Sequence, residues 1–317
     1  MKEIGGYIEF EYYQGLMLHE NAIALNCGRN ALAYLFMSRG IKKIKLPFFI
    51  CDSIINICER EGIEKSYYHI GLDFKPAEEI HLDDDEWLYL VNFYGQLTND
   101  IISYYADKYS RIIVDQANAY FQEPIDHIDT IYTCRKWFGV ADGAFLYTDE
   151  KISEPMEIDV SFDRMRYLLG RLERNASEFY SEYVANNHNF DMEPIKKMSK
   201  LTYNLLHGID YGYVRGKRLA NYEFIHRRLG KYNQIDPNIA LFMYPFMVKE
   251  GQGRNIRKAL AKEKIYIPTL WPSVFNISSI DSIEYHMAED ILPLPIDQRY
   301  SIADMTYLAE RIEEKIV

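Results

Sequence analysis

Two periodicities alternate along the first half of the chain. From Asn30 to Ile41 apolar residues recur at helical spacing and the run closes on Gly40, which predicts a helix. KIKLPFF then predicts a short strand ended by Pro47, and DSIINICEREG a second helix with Asp52 as its N-cap and Gly62 as its stop. KSYYHIGLD reads as a strand, EWLYLVNFYG as a buried strand, NDIISYYADKYS as a helix, and RIIVDQANAY as another buried strand with its turn. The pair Ile131 and Tyr132 and the run AFLY (Ala144 to Tyr147) add further β-type segments. Helices and apolar strands at this spacing predict βα units and a mostly parallel sheet flanked by helices, an α/β fold. Ligands of such sheets sit at the carboxyl ends of the strands.

From about Ile152 to Arg228 the pattern turns mainly helical, as in RMRYLLGRLERNASEFYSEYV and KLTYNLLHGIDYGYVRGKRLANYEFIHRRLG. Beyond Gly230 a smaller mixed segment follows. There ALFMYPFMV predicts a strand, GRNIRKALAKEKI a helix, YIPTLWP a strand and DMTYLAERIEEKI a closing helix. No internal repeat or low-complexity linker interrupts these elements.

Composition narrows the function classes. With 317 residues, 48% hydrophobic and 26% charged, the chain can bury a full core and form two lobes around a cleft. A formal net charge of -11 disfavours a nucleic-acid surface, which needs a basic stripe. No run approaches the length of a membrane span, and the acidic, interrupted N-terminus is unlike a secretory signal, so a cytoplasmic protein is expected. The four cysteines (Cys27, Cys51, Cys58, Cys134) form no CxxC pair, and the acidic run Asp83 to Glu86 reads as a solvated turn, so no metal site is expected.

Three strand ends carry candidate chemistry. In LNCGRNAL a β-type run meets Gly28 where a helix begins, and a glycine there lets backbone N–H groups approach an anion, with Arg29 as a charge-assisted partner. In RIIVDQANAY, Asp115 ends a buried strand, either capping the next segment or meeting something cationic or protonated. In DTIYTCRKWFGVADGAFLYTD, Lys136 follows a β-type run and precedes Trp137 and Phe138, either snorkelling over apolar surface or held in a pocket. Phosphate anchor, buried aspartate and then lysine is the order of parts in a pyridoxal-phosphate enzyme. The lysine amine binds the aldehyde and the aspartate keeps the ring nitrogen protonated.

In that order the chain resembles the fold-type-I pyridoxal-phosphate aminotransferases of the DegT/DnrJ/StrS type, the sugar aminotransferases, over nearly its whole length. CGRNAL stands where that family has S-G-T-x-A-L, LPFFIC where it has P-x-F-T and an aromatic, and IIVDQANA where it has D-x-A-[QH]-A. RKWFGVADGAFLY is similar to its Schiff-base lysine segment, and ILPLPIDQRYSIADMTYLAERI to its closing element. The resemblance implies Lys136 and Asp115 as catalytic residues, Gly28, Arg29 and Asn30 at the cofactor phosphate, and Asn118 near the ring hydroxyl. It puts Cys51 at the position that stacks on the ring, where Phe49 or Tyr94 could substitute. It also implies an N-terminal arm over 1–20, a large cofactor domain over 21–228 and a small domain over 229–317. Its partners would be an amino donor, plausibly glutamate, and a keto acceptor such as a nucleotide-linked sugar. A homodimer is implied, with Lys197 reaching the partner's phosphate where relatives use arginine.

Some positions depart from the family. Ile131 and Thr133 stand where it has Ser and His, five and three residues before the lysine. A scaffold that has lost catalysis and binds a partner is therefore the competing expectation. A sugar dehydratase is another, although such relatives replace the lysine with histidine. Tyr94, Trp271 and Arg299 could face the cleft, but packing is the commoner use of such residues.

Overall fold

Seven strands form one sheet in the computed structural model of the chain, which describes residues 4–316. In chain order they are β1 (Ile23–Leu25), β2 (Lys43–Pro47), β3 (Glu64–Tyr68), β4 (Glu86–Val91), β5 (Ile112–Asp115), β6 (Asp129–Thr133) and β7 (Ala144–Tyr147). Across the sheet the order is β1-β7-β6-β5-β4-β2-β3. The pairs from β6 to β3 are all parallel, and β7 runs antiparallel to both of its neighbours, β6 and β1. Two reversals restore direction, so β1 points the same way as β6. The expected mostly parallel sheet is present.

The central strands are apolar because helices cover both of their faces. Leu88, Leu90, Ile113, Val114, Phe145 and Leu146 are each at most 1% exposed. Helices α1 (Gly28–Arg39), α2 (Asp52–Arg60) and α3 (Asn99–Lys108) follow β1, β2 and β4. Gly40 closes α1 at φ 64°, the left-handed conformation that glycine adopts without penalty. Gly143, at φ 114°, makes the reversal into β7. A Cβ there would meet Thr202 Cγ2 at 3.0 Å and Cys134 Cβ at 3.2 Å, so the position rejects a side chain on both counts.

An excursion of α4 (Arg166–Glu173), α5 (Tyr180–Met192) and α6 (Lys200–His207) then leads to the long α7 (Tyr211–Leu229). The remainder is a two-stranded antiparallel sheet of β8 (Tyr244–Met247) and β9 (Ile291–Leu294), with α8 (Gly253–Lys262), α9 (Val274–Ile277), α10 (Ile283–Asp290) and α11 (Ile302–Ile316). Helices α7 and α11 pack against each other and join this part to the rest.

Two local expectations are corrected, and one strand was not expected. Residues 266–272 form a loop and not a strand, because Pro268 and Pro272 cannot donate to a ladder and Trp271 takes φ 55°. The partner of β8 is ILPL, whose four residues are all buried and show no alternation. Its proline is tolerated because Pro293 pairs with Pro245 in a sheet whose two strands are both edges. Asp52 is the first residue of α2, and Cys51 is its N-cap.

Candidate active site

The carboxyl ends of β1, β2, β4, β5 and β6 make one rim, and most of the singled-out residues lie along it. Asp115 is the last residue of β5, Lys136 follows β6 by three positions, and Gly28 follows β1. A Cβ on Gly28 would meet only Ile131 Cγ2, at 3.9 Å, so the N-terminus of α1 approaches β6 with space to spare.

Asp115 is half-buried, and both of its oxygens are held. The Tyr89 hydroxyl on the adjacent strand donates to Oδ2 at 2.8 Å, and the Ala117 N–H donates to Oδ1 at 2.8 Å. Burial first, and then the Asp115 carboxylate, push the Tyr89 hydroxyl well above its ordinary pKa, so it stays a donor. Each carboxylate oxygen has two lone pairs, so one on each remains for a further donor. Cys51, the N-cap of α2 four residues beyond the end of β2, lies at the same end of the sheet. Its sulfur lies 3.0 Å from Ser53 Oγ.

Lys136 sits in a turn tied on both sides. On one side the Trp137 indole N–H donates to the Ala117 carbonyl at 3.0 Å, joining the turn to the loop after Asp115. On the other, the Trp137 carbonyl accepts from Gln298 at 2.9 Å and from Arg218 at 3.4 Å. Arg218, 2% exposed, also donates to Gln298 Oε1 and to the carbonyls of Leu241 and Phe242. Burial lowers its pKa to about 10, which leaves it charged at neutral pH. Lys136 itself is exposed, with its ammonium 5.7 Å from the centre of the Phe242 ring. The lysine therefore lies against an aromatic surface with its amine exposed at the rim, which fits the first reading and not an enclosing pocket.

Asn118 is buried and accepts from the Tyr94 N–H at 3.4 Å. Tyr94 adopts φ 54°, and its ring stands edge-on to Trp271 with centroids 5.5 Å apart. Two large residues in the left-handed region packed on each other form a strained aromatic wall with Phe49 and Phe93. Phe49 is fully buried in that wall. Arg299 is paired with Asp297 two residues away. Packing is therefore the use of Phe49, Tyr94 and Trp271, and a local ion pair the use of Arg299.

At α1 the side chains turn away from the rim. Arg29 donates to Asp191, to the Asn187 carbonyl at 3.1 Å and to Asn187 Oδ1 at 2.8 Å. Asn30, fully buried, donates to Asn26 Oδ1 and to the carbonyls of Glu193 and Pro194, and it accepts from Arg60. The structure does not bring the Asn30 amide to the rim. Sequence reasoning passed over Arg135, whose guanidinium lies 4.7 Å from the Phe190 ring centre and shares Asn187 Oδ1 with Arg29. Tyr89, Arg218 and Gln298 were also missed. They lie in buried runs or far downstream, where only tertiary contact assigns them a role.

Lys197 is exposed at the outer edge of β1. Its backbone bridges Leu25 on one side and Ile158 on the other. Behind it Asp142, fully buried, accepts from the Ser199 N–H at 2.7 Å, the Ser199 hydroxyl at 2.8 Å and the Thr202 hydroxyl, and so anchors the segment to the start of α6. A cavity of about 550 Å³ opens beside Lys197, lined by Tyr12, Tyr13, Ile158, Tyr203 and His207 among others. Among the described residues no cluster of His, Cys, Asp and Glu is arranged to hold a metal ion, and no helix is long and apolar enough to cross a membrane.

Compared by sequence, the chain matches no family model and no curated protein. Compared by structure, it is similar to NtdA from Bacillus subtilis with bound cofactor PMP, at a TM-score of 0.67 and 14% identity, over 93% of this chain and 73% of that one. It is similar to the putative sugar aminotransferase Spr1654 from Streptococcus pneumoniae in its PLP form, at a TM-score of 0.65 and 13% identity, over 95% and 89%. It is likewise similar to DesI in the presence of its TDP-sugar product, at 0.65 and 14%, over 92% and 79%. At these identities the likeness shows the fold, and that fold is the one expected from the motifs.

Proposed function

We propose that this chain is a pyridoxal-phosphate-dependent aminotransferase, moving an amino group from a donor such as glutamate to the keto group of a nucleotide-linked sugar. The observation that carries the reading is a carboxylate and an amine, Asp115 and Lys136, on the ends of adjacent parallel strands. The 3.0 Å bond from the Trp137 indole to the Ala117 carbonyl holds their two loops together. The sugar acceptor rests on the solved structures that share the fold, one of them described with a TDP-sugar product.

The residues present fit the cofactor. Asp115 keeps free lone pairs beside its two fixed bonds, and the α1 N-terminus is open beside Gly28. Bound there, pyridoxal phosphate supplies an aldehyde that captures amines and a ring that takes up electrons from the substrate carbon. The chain's own residues then have separate tasks. Asp115 would hold a proton on the ring nitrogen, and Tyr89 fixes the carboxylate that would do so. Lys136 would offer the amine that tethers the aldehyde and, when free, could hold or give up a proton at its Nζ. Gly28 would leave room for the phosphate, and Asn118, committed to the Tyr94 loop, would shape a wall of the site. Cys51 lies at the same end and is too small to replace a stacked ring.

Exposed apolar residues support a homodimer. Ile4, Tyr7, Ile8 and Leu16 on the arm and Leu172 and Met192 around α4 and α5 are each more than 80% exposed. Lys197, which lines a cavity with Tyr12 and Tyr13 of the arm, would reach the partner's phosphate. The competing reading, a scaffold without catalysis, draws on Ile131 and Thr133 and on the commitment of Arg29 and Asn30 to α5 and the segment after it. Purification in the presence of pyridoxal phosphate decides between them. An aminotransferase should be yellow, and borohydride reduction with peptide mapping should place the label on Lys136. A label on another lysine, or none, overturns the assignment.

A further inference from the structure

The amine of Lys136 lies on one particular ring. Its 5.7 Å separation from the Phe242 ring centre is within the range at which an aromatic face attracts a cation. Phe242 is 6% exposed and packs on the Trp137 indole, with ring centres 5.8 Å apart. Both ends of the contact hang on the same guanidinium. Arg218 donates to the Phe242 carbonyl at 3.2 Å and to the Leu241 carbonyl at 2.7 Å. It also donates, at 3.4 Å, to the carbonyl of Trp137, the residue after the lysine. The ring and the lysine backbone are therefore held at a set separation from α7.

Phe242 belongs to the segment before β8, outside the seven-stranded sheet that carries Asp115 and leads into Gly28. Amino transfer asks two things of the lysine. It bonds to the aldehyde, where ammonium and aldehyde give a protonated carbon–nitrogen double bond and one water, and it is set free when a substrate amine takes its place. We infer that Phe242 is the positioning residue for the free lysine: its ring face receives the ammonium whenever the cofactor is absent or in its amine form, and Arg218 keeps that face within reach. This rests on the aminotransferase reading above. The contact is given up when the amine bonds to the aldehyde. The ring thus biases the chain towards release, by the roughly two- to fivefold that an exposed cation–ring contact is worth.

The test is a split between two forms of the cofactor. In Phe242→Leu, affinity for pyridoxal phosphate should rise about two- to fivefold, because the bonding amine leaves no favourable contact behind. Affinity for pyridoxamine phosphate, which leaves the lysine free, should not change. Phe242→Tyr keeps the ring and should return the wild-type ratio. A second readout needs no cofactor. In the cofactor-free protein, a limiting amine-acylating reagent followed by peptide mapping should label Lys136 about two- to fivefold faster in Phe242→Leu. The exposed Lys151 and Lys264 serve as controls that do not change. A ring that only packs would move both affinities together and leave the labelling of Lys136 as it was; either result overturns the inference. Should the leucine variant fail to fold, Phe242→Met decides on the same ratio. A wild-type chain that takes up neither form of the cofactor sinks the aminotransferase reading, and the labelling then decides on the ring alone.

Discussion

Arg218 on α7 grips Trp137 twice, with its guanidinium carbon 4.4 Å from the indole ring centre and its terminal nitrogen 3.4 Å from the carbonyl. The residue gripped is the one after Lys136. The same guanidinium holds Gln298 and two carbonyls before β8, so the lysine turn, the long helix and the C-terminal part share one buried charge. Removing it orphans several acceptors at once. Arg218→Met should cost about 3 kcal/mol of stability by urea denaturation, and Gln298→Ala about 1 kcal/mol. Equal small losses for both would mean that the grip does not hold the turn.

Asp115→Asn keeps the bond from the Ala117 N–H but removes the charge. Transamination should fall roughly a hundredfold or more, with the colour of bound cofactor retained at reduced affinity. Near-normal turnover would remove Asp115 from the ring nitrogen. Tyr89→Phe leaves one carboxylate oxygen without its donor inside the sheet and should cost about 1.5 kcal/mol of stability.

His19 predicts a pH dependence. Its ring is wedged against Tyr132, centroids 4.1 Å apart, with Nδ1 3.0 Å from the Tyr147 hydroxyl and Nε2 2.9 Å from the Tyr120 carbonyl. Burial lowers its pKa from 6.5 to about 4, so the fold holds it neutral. Between those values the unfolded chain binds more protons than the folded one, and stability therefore falls as pH drops from 6.5 towards 4. The loss should reach about 3 kcal/mol. His19→Phe should flatten the curve within that window; an unchanged slope would assign it to other groups.

For assembly, light scattering at micromolar concentration should give twice the chain mass, because a two-fold dimer supplies Lys197 to both sites. Lys197→Ala should weaken cofactor binding without dissociating the dimer. A monomer that binds pyridoxal phosphate tightly contradicts the arrangement.

The chain's alternation of periods was enough to read β2, β4, β5 and the helices between them, because buried parallel strands and capped helices leave local signals. Gly28, Asp115 and Lys136 were legible for the same reason, as strand ends followed by turns. ILPL was not, since a strand buried on both faces with a proline in it has no alternation. YIPTLWP misled because its tryptophan serves an aromatic wall built from two other segments. Arg29 drew notice as a cation beside a glycine, yet the decisive fact, that Asp191 neutralises it, depends on α5 lying more than 150 residues further along.

The position of β1 has a consequence for assembly of the chain itself. One edge of this strand pairs with β7, Ile23 opposite Leu146, and the other bridges the segment around Lys197, so nothing local holds it. During synthesis α1 is made early, but the strand that aims its N-terminus has no place to dock until those later segments emerge. Closing such distant pairings is slow. The rim at the start of α1 is thus among the last parts of the sheet to form, and a ligand that arrives early would find nothing complete to bind there.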